Sequence, residues 1–190
     1  MTIVSKGIRE AVMILKKGGI VAYPTESSYA LGCDVTNHEA MRKVYKLKKR
    51  PMSKGLTFIV GSTKTAEKYS ILGRSEKNVM KKLMPGRLTL VARGRKGGEF
   101  AFRIPSNYRA LEMAKAFGKP ITATSANMSG KEPIFSVKKL LNLWNGRIDM
   151  ILDGGTLARR RPSTVVDIFS GVNIRRKGPV TKKQIGDALS

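Results

Sequence analysis

Residues 18–35 read Gly18-Gly19-Ile20-Val21-Ala22-Tyr23-Pro24-Thr25-Glu26-Ser27-Ser28-Tyr29-Ala30-Leu31-Gly32-Cys33-Asp34-Val35. Ile20 to Tyr23 is a short, uninterrupted apolar run that stops at a proline. Such a run predicts a buried strand. The segment after it, from Thr25 to Val35, is small and polar. Pro24 fixes a turn that presents Thr25, Glu26 and Ser27 at a strand end, where α/β proteins place ligands. The same hydroxyls would also suit a helix N-cap.

Upstream, Val4, Ile8, Val12 and Leu15 recur at helical spacing, with Gly18-Gly19 as the stop. Downstream, Thr36 with Glu39 three residues on predicts a capping box, and a helix carrying Met41, Val44, Tyr45 and Lys48 up to Pro51. The pattern then predicts a strand at 56–60 and helices at 63–69 and 75–84, the second broken by Pro85-Gly86. Strands at 88–93 and 100–104 follow, joined by a Gly/Lys/Arg turn. Next come a helix at 108–117 capped by Gly118, a strand at 121–123 and a helix at 137–143. Strands at 150–153, 164–168 and 172–175 and a helix at 181–189 close the chain. Strands and helices alternate without a Pro/Ser-rich linker. The expectation is one α/β (α+β) domain over residues 1–190, a twisted mixed sheet with flanking helices. The antiparallel-looking middle argues against a purely doubly wound fold.

Composition narrows the chemistry. The 190 residues carry 37 Lys+Arg against 13 Asp+Glu, a net +24. A hydrophobic share of 41% excludes disorder. Cys33 is the single cysteine, which excludes a disulfide framework. His38 is the single histidine, which removes a His/Cys metal site and a Ser-His-Asp or Cys-His pair. No stretch approaches the roughly 18 apolar residues of a membrane span. The N-terminal residues lack a signal-peptide apolar region, so a reducing cytoplasm is expected. The charge points to a polyanionic partner, nucleic acid first, or to a solvated basic surface.

No GxxxxGK[ST] loop and no GxGxxG after a strand is present. Leu47-Lys48-Lys49-Arg50-Pro51-Met52-Ser53-Lys54-Gly55 converges cations at a helix end. They suit the helix dipole, and equally a triphosphate gripped by a bidentate Arg and a Lys point charge. Thr122-Ala123-Thr124-Ser125-Ala126-Asn127-Met128-Ser129-Gly130 leaves a strand as a run of hydroxyls and one amide. It is an ordinary polar loop or a source of neutral donors for phosphate. Phe100-Ala101-Phe102-Arg103-Ile104-Pro105 puts an arginine in an apolar strand. Arg103 there needs an anion, either a substrate carboxylate or a structural acid. Ser163-Thr164-Val165-Val166-Asp167 and Arg175-Arg176-Lys177-Gly178-Pro179 form a late polar and basic pair. His38 and Cys33 read as structural or surface residues, and Trp144 and Met150 as packing.

In chain order, GGIVAYPTESSYALGCDV, KLKKRPMSKGL, FRIP, TATSANMSG, DGG and STVVD together resemble the YrdC/TsaC family of threonylcarbamoyl-AMP synthases, from about Gly18 to Arg176. Its most specific parts are a KxR motif, matched by Lys48 and Arg50, and an SxN motif, matched by Ser125 and Asn127. The resemblance implies a mixed sheet around a large basic concave cleft. It implies condensation of L-threonine, bicarbonate or CO2, and ATP into threonylcarbamoyl-AMP and pyrophosphate, with Mg2+ accompanying the nucleotide. A separate protein then transfers the threonylcarbamoyl group to tRNA. It further implies ATP binding by Lys48, Arg50, Lys54, Ser125, Asn127 and Arg176, with Lys48 and Arg50 at the reacting phosphates. Thr25, Arg103 and Ser163 would line the threonine pocket, and no protein side chain is assigned to a metal. Longer relatives have an extra C-terminal domain, which this chain is expected to lack. They often carry Asn where Lys54 stands and His where Ile59 stands. Arg159-Arg160-Arg161 is more basic than the family leads one to expect, and could extend an RNA-binding surface. The alternative reading is a non-catalytic module that binds structured RNA or tRNA in the basic cleft.

Overall fold

A computed structural model describes residues 1–189. The chain runs β1 (Ile3–Ser5), α1 (Ile8–Lys16), β2 (Val21–Pro24), β3 (Tyr29–Gly32), α2 (His38–Lys48), β4 (Phe58–Ile59), α3 (Thr63–Tyr69), β5 (Ser70–Ile71) and α4 (Arg74–Leu83). It continues with β6 (Leu88–Gly94), β7 (Glu99–Arg103), α5 (Tyr108–Phe117), β8 (Ile121–Thr122), β9 (Thr124–Ser125), α6 (Val137–Trp144), β10 (Met150–Leu152), β11 (Thr164–Asp167), β12 (Asn173–Arg176) and α7 (Lys182–Leu189).

The strands divide between two mixed sheets rather than one. The first has the order β1-β10-β2-β3-β9, and the second β12-β11-β6-β7-β4-β8, with β5 beside β6. β2 lies inside the first sheet, parallel to β10 and antiparallel to β3. Both of its faces are covered, so its residues alternate between two cores instead of between core and water. Ile20 and Ala22 pack with Val44, Leu140 and Trp144, on the side of α2 and α6. Val21 and Tyr23 pack with Leu15, Met113 and Phe117, on the side of α1 and α5. The second sheet lays Leu88, Leu90 and Phe102 against Val79, Met80 and Ile185 from α4 and α7.

Three local expectations give way to tertiary pairing. Val4 is taken by β1, which pairs with β10, so the first helix starts only at Ile8. Tyr29–Gly32 forms β3 within the segment that reads as polar and small, because it completes a hairpin with β2, Tyr23 opposite Ala30. The capping box at Thr36 does not form. Asn37 is the N-cap, its side chain accepting from the Ala40 amide, while the Thr36 hydroxyl donates to Asp34 at 2.7 Å.

Residues 121–125 join the sheets. Ile121 and Thr122 pair with β4 in the second sheet, and Thr124 and Ser125 pair with β3 in the first. The chain therefore changes sheet at Ala123. Beyond the switch, the Trp144 indole donates to the Ala126 carbonyl at 2.6 Å and fixes the residue between Ser125 and Asn127.

Gly61, just past β4, is where α5 comes closest. A Cβ there would stand 2.6 Å from the Lys115 backbone nitrogen and Cα. Gly61→Ala should destabilise the protein by about 1–3 kcal/mol. Thermal unfolding should then show a Tm several degrees lower, at roughly 2–4 °C per kcal/mol for a chain of this size.

Candidate functional site

A cavity of about 360 Å³ opens where the two sheets meet. Its walls come from the β2–β3 turn (Thr25, Ser27, Ser28), the loop after α2 (Arg50, Gly55, Thr57), the end of β7 (Arg103) and the switch segment (Ser125, Asn127). Lys131, Pro133 and Phe135, the segment before β11 (Arg160, Pro162, Ser163) and Arg176 complete it. Five lining residues are cations, namely Arg50, Arg103, Lys131, Arg160 and Arg176, and none is a carboxylate. A concavity lined this way focuses positive potential inward and suits an anion.

The turn at one end is tightly built. The Thr25 hydroxyl donates to the Ser28 carbonyl at 2.7 Å and accepts from the Ser27 and Ser28 amides. This bonding aims Glu26 inward, where its side chain is 6% exposed and Oε1 lies 3.3 Å from Nε of Arg103. The contact is an ion pair without hydrogen-bond alignment. Both Glu26 oxygens and Arg103 Nε lack a hydrogen-bond partner. Arg103 thus has its structural acid, on the Nε side, while its Nη1 points to the Ser163 hydroxyl at 3.4 Å. Arg176 reaches the same serine, donating to its carbonyl at 2.9 and 3.0 Å and to its hydroxyl at 3.0 Å. Desolvation, and then the Arg103 charge, hold Arg176 below the ordinary arginine pKa. Two guanidinium groups on one serine leave room for an anion to bridge them. The adjacent Arg175 points elsewhere, binding Glu99 through two bonds and Asp167 through a third.

At the other end Lys48 behaves unlike a surface cation. Lys48 is 2% exposed. Its ammonium donates to the Asn127 carbonyl at 2.7 Å and to the Ser125 carbonyl. It ties the end of α2 to the switch segment and contributes no lining surface. Asn127 lines the cavity, and its Oδ1 is buried without a partner. Arg50 does line it, steadied by the carbonyls of Lys54 and Gly55 at 3.2 and 2.8 Å. Lys54 takes part through that carbonyl, its side chain being exposed and outside the lining.

The structure therefore brings Thr25, Arg50, Arg103, Ser125, Asn127, Ser163 and Arg176 around one cavity, with Lys48 behind it and Lys54 beside it. Sequence reasoning put Glu26 at a ligand-bearing strand end without giving it a role, and missed Lys131 and Arg160 as site residues. Arg160 had a visible signal, the Arg159-Arg160-Arg161 run, which reads from sequence as surface. Ile59 is core, packed with Tyr23 and Ile121. Cys33 is buried too, and burial pushes its thiol up to about 11. His38 is exposed. Among the described residues no group of three His, Cys, Asp or Glu could hold a metal ion, and no helix is long and apolar enough to cross a membrane.

The fold and site define an α/β protein with a cation-lined cavity at a two-sheet junction. Residues 13–178 match the Sua5/YciO/YrdC family model, described as Telomere recombination, and the chain belongs to that family. It is similar to the threonylcarbamoyl-AMP synthase of Psychromonas ingrahamii, 32% identical over 182 residues, 88% of this chain and 95% of that protein. It is also similar to P. abyssi Sua5 solved in complex with L-threonine, at 27% identity and a TM-score of 0.90, covering 99% of this chain and 60% of that longer one. E. coli YciO is 26% identical with a TM-score of 0.85, covering 97% of this chain and all of that one.

Burial lowers the Lys48 pKa from 10.5 to about 8, with Arg50 adding to the shift. The folded state therefore resists protonation of Lys48, a penalty fully present below pH 8. Between pH 8 and 10.5 the unfolded chain holds the proton that the folded chain has released, so folding stability rises with pH. In urea unfolding, the wild type should gain stability relative to Lys48→Met across that window. A pH-independent difference would remove the burial argument.

Proposed function

We propose that this chain is an L-threonylcarbamoyladenylate synthase, which joins L-threonine, bicarbonate or CO2, and ATP with release of pyrophosphate. The observation that carries the reading is the cavity wall of five cations and no carboxylate, bounded by the KxR and SxN segments. Its two ends suit two different anions. Arg103, Ser163 and Arg176 converge donors suited to an amino-acid carboxylate, with Thr25 nearby. Arg50 and Lys131 offer cations and Ser125 a neutral hydroxyl donor suited to a triphosphate, beside Asn127, whose amide donates to the Met128 and Lys131 carbonyls.

The chemistry needs little from protein acids or bases. The amine of threonine and CO2 give a carbamate, with a proton released to water. The carbamate oxygen attacks the α-phosphorus, and the bond to the β-phosphate bridging oxygen breaks, its electron pair leaving with pyrophosphate. The protein's part is to hold the short-lived carbamate beside the phosphorus, exclude water and offset the phosphate charge. Mg2+ would arrive with ATP, since the described residues offer no carboxylate cage for it. In this reading the product passes to a second protein that modifies tRNA in the cytoplasm.

Arg50→Ala should lower threonine- and bicarbonate-dependent pyrophosphate release by about 100-fold or more, since it removes a cation from the phosphate end. Arg103→Ala should chiefly raise the KM for threonine. The test is incubation of the wild type with threonine, bicarbonate and ATP, followed by mass-spectrometric detection of the adenylate. No adenylate from the wild type, or wild-type rates from Arg50→Ala, would sink the assignment.

The net charge of +24 favours a second reading alongside the first, direct contact with tRNA. The cavity cations account for only a small part of that excess. Filter binding of tRNA should weaken steeply between 50 and 200 mM salt, by about 10³-fold if six or more phosphates are engaged. A salt-independent affinity would remove tRNA as the reason for the charge.

A further inference from the structure

Residues 153–163, between β10 and β11, form an irregular segment held down at several points. The Gly154 amide donates to the Tyr29 hydroxyl at 2.9 Å, and that hydroxyl donates to the Gly155 carbonyl at 2.8 Å. The Leu157 amide donates to the Phe135 carbonyl at 2.7 Å. The Arg159 guanidinium lies 5.5 Å from the centre of the Phe135 ring, a cation–π contact. The segment ends at Ser163, which takes the hydrogen bonds of Arg176. Arg160 is thus carried between two fixed points, Arg159 on Phe135 and Ser163 on Arg176.

The three consecutive arginines consequently do different things. Arg159 is occupied by Phe135, and Arg161 is exposed and outside the cavity wall. Arg160 lines the cavity. Among the described residues no carboxylate lies within ion-pair distance of Arg160. Its nearest sequence anchors place it between the Arg103–Ser163–Arg176 group and the 131–135 segment that brings in Lys131. The two arginines on Ser163 suffice for one carboxylate. An additional guanidinium lining the same cavity as Lys131 and Arg50 calls for an anion carrying several charges.

We propose that Arg160 binds the polyphosphate of the nucleotide from the cavity wall, with Arg159 as its positioning residue through Phe135. The proposal rests on reading the cavity as the adenylate-forming site. All three arginines are exposed, but only Arg160 also lines the concavity of about 360 Å³, which suits a compact polyphosphate better than an extended RNA backbone.

The test uses the full chain and four proteins: wild type, Arg160→Ala, Arg160→Lys and Arg161→Ala. Calorimetric titration with inorganic pyrophosphate reads the site without turnover, and steady-state kinetics give separate KM values for ATP and threonine. Arg160→Ala should raise the pyrophosphate Kd and the ATP KM about 10-fold, the worth of one charge-assisted contact. The threonine KM should stay unchanged. Arg160→Lys should recover part of the loss, and Arg161→Ala should match the wild type. A wild-type pyrophosphate Kd in Arg160→Ala would overturn the proposal. A rise in the threonine KM alone would overturn it too, by giving Arg160 to the amino acid. If the wild type forms no adenylate, the assignment of the reaction falls, while the calorimetric comparison still decides whether Arg160 holds a polyphosphate.

Discussion

The Lys48 ammonium is the interaction on which the site depends. A charge this far from water is costly unless its protons are taken, and the carbonyls of Ser125 and Asn127 take two of them. Those carbonyls belong to the segment where the chain leaves one sheet for the other, which two-residue strands alone would hold weakly. Lys48 therefore locks α2, the switch and both cores into one frame. The same bond orients the Ser125 and Asn127 side chains, since their carbonyls are turned away toward the lysine.

The KxR spacing then has a structural meaning. On a continuing helix, residues two apart point roughly 200° away from each other. Here α2 ends between them. Lys49 adopts a left-handed conformation with φ 48°, a place normally given to glycine. The Arg50 amide bonds back to the Tyr45 carbonyl at 3.0 Å and the Lys49 amide to the Lys46 carbonyl at 3.1 Å, the Schellman pattern. The break lets Lys48 face the scaffold while Arg50 turns into the cavity. One cation builds the wall and the next is displayed by it. A lysine in the left-handed region carries backbone strain that glycine would not, and it sits between the two motif residues, where such strain tends to be kept.

Much of this was legible in the residues. The apolar run at Ile20–Tyr23, the helices at 63–69 and 108–117, the Gly118 cap and the hairpin of β6 and β7 are local signals that tertiary contacts reinforce. β1 and β3 were hidden because a three- or four-residue strand carries no period of its own and exists only through its partners. The division into two sheets was hidden for the same reason, since a chain changes sheet at Ala123 without any residue type that marks it. Among the site residues, the types at Lys48, Arg50, Ser125, Asn127 and Arg103 were visible, but their directions were not. Charge patterning cannot say that Lys48 points inward, or that of Arg175 and Arg176 the first binds two acids and the second faces the cavity. Glu26 was placed at a ligand-bearing strand end, but its pairing with Arg103 was not legible, because a carboxylate in a polar turn reads as solvated. Its burial follows only from the Thr25 hydrogen bonds that fold the turn over.

The placement of Glu26 also explains how so many cations can share one cavity. Five positive groups around about 360 Å³ repel one another before any ligand arrives. Among the described residues the one buried acid in contact with them, Glu26, approaches Arg103 from Nε, on the side away from Ser163. It offsets charge without occupying the face that a ligand would use. Its own oxygens take no hydrogen bond, so Glu26 lowers the net charge without taking up a donor of the cavity wall. A site organised in this way is arranged for a ligand with negative charge. It needs no histidine for this, because most of its cations are guanidinium ions that stay charged throughout.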